Sequence, residues 1–124
     1  MADLASHPLC LPPRHFRLRQ ILAEAEARHA TYLEASVTTN SIHVMRELAQ
    51  AGTAVTILPQ VSLWRELQER QLVSVAIDDD EMDDTTISLV LRSGRQLEGA
   101  PARLCKVIEA QMRQWSRPLV PQGA

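Results

Sequence analysis

Aromatic side chains are scarce in this sequence, which has Phe16, Tyr32, Trp64 and Trp115 and no others. A core must therefore be assembled from Leu, Val, Ile and Ala. There are two cysteines, Cys10 and Cys105, far apart in sequence and set among apolar neighbours. That usage favours buried free thiols in a reducing, cytoplasmic compartment over a disulfide between them. No window approaches the roughly 18 apolar residues of a membrane span. The start, MADLASHPLCLPP, lacks the basic region and sustained apolar run of a secretory signal. Positive charge is not in excess either: 13 Lys and Arg against 15 Asp and Glu leave a net charge of −2. No general field attracts nucleic acid or an anionic membrane.

The motifs of several chemistries are missing as well. There is no Gly-x-Ser-x-Gly, no phosphate-binding loop and no glycine-rich dinucleotide turn, and Cys10 has no oriented base in view. His7, His15, His29 and His43 show no metal-ligand spacing with each other or with the cysteines. The acidic run DDDEMDD, 78–84, fits no register of a calcium-binding loop and reads as a solvated link. Arg14, Arg17 and Arg19 are spread around a helix start with few aromatics, which does not describe a nucleic-acid patch. The expectation is a protein that is not an enzyme and holds no metal and no cofactor.

At 124 residues the chain suits one ordinary domain or a piece of one. HPLCLPP reads as a short strand ended by Pro12 and Pro13. From Phe16 to about Ala30 a helix is expected, with Leu18, Ile21, Leu22, Ala25 and His29 on one face and Arg17, Gln20, Glu24 and Arg28 opposite. TYLEASVTT alternates Leu33, Ala35 and Val37 against Glu34, Ser36 and Thr38, as a half-covered strand does. A second helix runs from Ile42 to Ala51, with Gly52 placed for a left-handed terminus. TAVTILP follows as a strand covered on both faces. Val61 to Arg70 gives a third helix and Leu72 to Ile77 a fourth strand. After the acidic run, Thr86 to Arg92 gives another strand. A closing helix spans APARLCKVIEAQMRQW, with Leu104, Val107, Ile108, Met112 and Trp115 on one stripe. Strands alternating with helices across short links predict an α/β fold with a parallel sheet.

In this order the residues resemble the effector-binding domain of LysR-type transcriptional regulators. The segments that carry the resemblance are DLASHPLCLPP, FRLRQIL, EASVTTNSIHVMRELAQAGTAVTILP, LVSVAIDDD and TTISLVLRSGRQLEGAPARL, across nearly the whole chain. In that family a strand ending in an acidic residue is followed shortly by Ser or Thr, a helix, a glycine-rich turn and a strand ending in Leu-Pro. Glu34 to Pro59 looks like that unit. One departure is Ala54, where the family has a second glycine in the turn. The resemblance implies a fold like that of type II periplasmic binding proteins, a parallel-sheet lobe with helices on both faces. On that basis 1–85 is the second effector-binding lobe, 86–116 the returning strand and C-terminal helix of the first lobe, and 117–124 a flexible tail.

The resemblance further implies a small-molecule effector, expected to be anionic. DNA is expected as a partner only through a helix-turn-helix domain that this chain does not contain. An enzyme or stand-alone binding protein on the same fold, or a truncated fragment that modulates an intact regulator by mixed dimerisation, is the alternative. Uncovered apolar side chains in 86–116 lead to an expectation of self-association.

The candidate ligand contacts are Pro12, Pro13 and Arg14, leaving the first strand, and Thr38, Thr39, Asn40 and Ser41, leaving the second. In open parallel sheets ligands collect outside the carboxyl ends of strands, where a helix N-terminus favours an anion. One polar residue suffices to cap that helix, and either Asn40 or Ser41 is expected to do it. The spare hydroxyls and amide are then expected to face a cleft.

Overall fold

The computed structural model describes residues 1–79, 82, 87–94 and 96–115. They fall into two compact units, one on each side of residue 86.

The first unit is built on a three-stranded parallel sheet of order β2-β1-β3, with β1 Leu9–Leu11, β2 Ala35–Thr38 and β3 Val55–Thr56. β1 has a neighbour on each edge, and Leu9, Cys10 and Leu11 are wholly buried. Leu9 and Leu11 form the core with Leu33, Ile57 and Leu22 of α1 (Arg17–Arg28). Cys10 points to the opposite face by strand alternation. α2 (Ile42–Gln50) packs against β1 and β3, and its Met45 is buried outside that cluster. Burial pushes the Cys10 thiol up from its ordinary value, so Cys10 stays a neutral, inert thiol. Cys105 is also free, and half-buried rather than buried.

Three helices of this unit end in the same left-handed closure. After α1, Ala30 has φ 48° while Thr31 N–H donates to Glu26 O at 2.9 Å and Ala30 N–H to Ala27 O at 3.4 Å. After α2, Gly52 has φ 68°, with Thr53 N–H to Leu48 O at 3.1 Å. After α3 (Trp64–Gln68), Arg70 has φ 57°, with Gln71 N–H to Glu66 O at 2.8 Å. These bonds satisfy carbonyls that a helix end leaves open. Glycine alone adopts this conformation without strain, and it stands at one of the three sites.

Several sequence expectations change. The buried stripe of α1 includes Arg19 and Glu26, which no apolar pattern shows, while Leu18 and Ile21 are half-buried and His29 is exposed. Arg19 and Glu26 meet at 2.7 Å and 3.3 Å, and Glu26 also accepts from Leu33 N–H at 2.6 Å. Burial raises the Glu26 carboxyl, but the hydrogen bonds from Arg19 and Leu33 and the charges of Arg19 and Arg14 outweigh it and hold the group below its usual value. Val37 and Val55 are exposed, so β2 and β3 are covered less than their composition suggests. The third helix starts as a 3-10 turn at Gln60–Leu63, after Pro59, which leaves only Trp64–Gln68 in α geometry.

Leu72 to Ile77 is not a strand. Ile77 packs on the core and Ser74 accepts from Gln60 Nε2 at 3.1 Å, but the segment joins no backbone ladder among the described residues. Of the acidic run, Asp80, Glu81, Asp83 and Asp84 lie outside the described residues. Asp79 is not solvated: its side chain is 3% exposed, 2.8 Å from Arg28 and 3.0 Å from His29 at the end of α1.

In the second unit, Ile87 to Arg92 forms no strand, because it has no ladder partner among the described residues; Thr86 lies outside them. α4 covers Ala100–Trp115, as the apolar periodicity requires, and buries no residue. Its half-buried stripe is Ala102, Cys105, Ile108, Met112 and Trp115; Leu104 and Val107, expected on that stripe, are exposed. The expected tail, 117–124, lies outside the described residues.

Candidate functional site

The two candidate segments leave adjacent parallel strands at the same sheet end. Leu11 stands in register with Thr38, and beyond that pair Thr39 N–H donates to Leu11 O at 3.2 Å. This bond ties the Pro12–Arg14 exit to the Thr38–Ser41 exit. Pro12 is buried and Pro13 half-buried, and Phe16 N–H closes a turn on Pro13 O at 3.0 Å before α1. β3 ends at the same side of β1, where the Thr56 hydroxyl donates to Cys10 O at 2.9 Å.

The polar surplus of Thr38 to Ser41 divides by role. The Ser41 hydroxyl accepts from Val44 N–H at 3.3 Å and caps α2. The Thr39 hydroxyl accepts from Ser41 N–H at 3.2 Å and shapes the approach to that cap. Thr38 and Asn40 are exposed and, among the described residues, their side chains make no hydrogen bond. Met45 N–H is taken by Ser41 O, which leaves the backbone donors of Ile42 and His43 open in the first turn. An exposed amide, an exposed hydroxyl and two open N–H groups at the positive end of a helix form a small acceptor-seeking surface.

Arg14 behaves differently. Its Nη2 lies 3.4 Å from the Tyr32 hydroxyl, in the segment that precedes β2, and its charge helps hold Glu26 down. Its guanidinium is therefore directed toward the entry of β2, and the structure does not bring it to the Thr38–Ser41 loop. Tyr32 was not a candidate from sequence, since eighteen residues separate it from Arg14 and no local pattern links them.

α2 is further anchored along its length. Arg46 bonds Glu66 of α3 at 3.0 Å and His43 Nδ1 at 2.7 Å, and Gln50 bonds Gln71 at 2.9 Å. Glu66 is buried and Arg46 half-buried, so this part-buried link ties α2 to α3. No group of three or more His, Cys, Asp or Glu among the described residues is arranged to hold a metal ion, and no described helix is long and apolar enough to cross a membrane.

No curated protein and no solved structure matches the chain. The family described as LysR substrate binding domain matches residues 1–113. With a match over all but the last eleven residues, on a parallel α/β sheet whose strand ends carry the polar loop, the chain belongs to the LysR substrate binding domain family.

Proposed function

We propose that this chain is the effector-sensing part of a LysR-type transcriptional regulator, and that it takes a small anionic effector at the carboxyl end of its parallel sheet. The family is one of ligand-binding domains of regulators rather than of catalysts, and it implies a fold like that of periplasmic binding proteins. The sheet and its flanking helices accord with the second lobe of such a fold. The observation that carries the anionic reading is the sorting of the Thr38–Ser41 loop: two side chains build the cap, and two stand free beside the open N–H groups of Ile42 and His43. A carboxylate oxygen is an acceptor that both the open donors and the helix dipole favour. In the whole regulator, differential binding of the effector to two arrangements of the domain would pass to a DNA-binding part.

Thermal unfolding against a panel of small mono- and dicarboxylates tests the reading. At a ligand concentration of about 100 Kd the stabilisation is about 2.7 kcal/mol, a readily measured rise in Tm. Asn40→Ala should remove the rise while leaving the unliganded Tm in place, because Asn40 makes no bond in the fold. A rise that survives Asn40→Ala together with Thr38→Ala, or no rise with any carboxylate, contradicts the assignment.

A further inference from the structure

Among the described residues, two side-chain hydrogen bonds join α2 to α3 and the turn after it. Arg46, in the middle of α2, donates through Nη1 to Glu66 Oε1 at 3.0 Å, and Gln50, the last residue of α2, donates to Gln71 Oε1 at 2.9 Å. Both bonds end on one short segment, because the Glu66 carbonyl accepts from Gln71 N–H at 2.8 Å and from Leu72 N–H at 3.4 Å. Glu66 therefore holds α2 with its side chain and the Gln71–Leu72 exit with its backbone. Its side chain is 11% exposed, where water competes little for the bond to Arg46. Glu47, 4.0 Å from Arg46 Nε, is exposed and the weaker partner.

The same arginine reaches the first turn of α2. Its Nη2 lies 2.7 Å from His43 Nδ1. A guanidinium has only donors, so Nδ1 is the acceptor and the ring carries its proton on Nε2. His43 also holds one of the two open N–H groups at the helix end. One residue thus presents a backbone donor at the acceptor-seeking surface and holds Arg46 with its ring.

We infer that His43, Arg46 and Glu66 form a relay that couples the first turn of α2 to the Gln71–Leu72 exit of α3, with Arg46 as its positioning residue. Steadying or loosening the first turn of α2 then changes how firmly the Glu66 carbonyl holds Gln71 and Leu72. Leu72 begins the segment that leads in sequence to the unit boundary at residue 86. Coupling of this kind runs through contiguous bonds and is measured as non-additivity between variants. Its use by an effector rests on the effector reading of the Thr38–Ser41 loop, whereas the coupling itself does not.

Amide hydrogen exchange on the free chain tests the relay without a ligand. His43→Ala should speed exchange at Gln71 and Leu72 several-fold and leave the amides of α1 unchanged. Arg46→Met with Glu66→Leu replaces the ion pair by apolar side chains of similar bulk, and in that background His43→Ala should no longer alter Gln71 or Leu72. In Glu66→Gln, which keeps an acceptor oxygen for Arg46, the response to His43→Ala should persist. Circular dichroism checks that each variant keeps its helices, and the His43→Ala and Glu66→Gln results decide if the apolar pair does not fold. Acetate and succinate, as monocarboxylate and dicarboxylate probes, should slow exchange at the same two amides as they shift Ile42 and His43. Probe shifts at Ile42 and His43 with no change at Gln71 and Leu72, or a His43→Ala effect that is absent or survives in the apolar pair, overturn the relay. No shift with either probe beside the full His43→Ala pattern supports the relay and counts against the effector reading alone.

Discussion

Leu9-Cys10-Leu11 and Ile87-Ser88-Leu89-Val90-Leu91 are both short apolar stretches of strand-like sequence, yet the first is wholly buried and every residue of the second is exposed, Leu89 the least of its apolar residues at 40%. Composition does not separate them. The first has a ladder on each edge and side chains from α1 and α2 over its two faces, whereas the second has no ladder among the described residues. An apolar alternation is thus a demand for partners, and burial follows only where the chain or another molecule supplies them. The same contrast holds for helices: α1 buries four residues, and α4, with a comparable stripe, buries none.

The largest effects should fall in the first unit, at the polar group it encloses. Glu26→Ala leaves the Arg19 charge and Leu33 N–H without their partner and should destabilise by about 3–5 kcal/mol in urea unfolding. Because the folded-state carboxyl sits below its ordinary value of 4.5, its contribution is complete above that value and is lost as pH falls beneath it. Glu26→Gln should flatten that acid limb. Next comes the apolar comparison itself: Leu22→Ala should cost about 2–5 kcal/mol, and Leu104→Ala, at an exposed site, no more than about 0.5 kcal/mol. Equal costs would break the contrast and show that α4 is buried in solution.

Smaller effects sharpen it at the helix ends. Ala30→Gly should stabilise the fold by about 1 kcal/mol, since it removes left-handed strain from a residue with a Cβ. Ser41→Ala should cost about 1 kcal/mol through the lost cap, while Asn40→Ala should change stability by no more than a few tenths of a kcal/mol. Chemical denaturation with matched m-values measures all three.

Much of the first unit was legible in the sequence because local signals and tertiary contacts agree there. Pro12 and Pro13 end β1, Ser41 caps α2, Gly52 closes it, and the strand–helix order yields the parallel sheet. What was not legible depends on distant groups. Arg19 and Glu26 read as surface residues until the fold brings them together with Leu33, and Asp79 reads as part of a solvated run until Arg28 and His29 enclose it. Leu72 to Ile77 has strand composition but joins no ladder among the described residues. At the site, the cap was foreseeable from residue type, whereas the commitment of the Thr39 hydroxyl to Ser41 and the turn of Arg14 toward Tyr32 are matters of geometry.

The central claim is that the sheet end at Thr38–Ser41 receives an anionic effector, and an amide-resolved NMR titration with small carboxylates tests it most directly. Saturable shifts centred on Ile42, His43 and the Asn40 side-chain amide, absent in Asn40→Ala, are the predicted result. Shifts confined to other parts of the chain, or none at millimolar carboxylate, would contradict it.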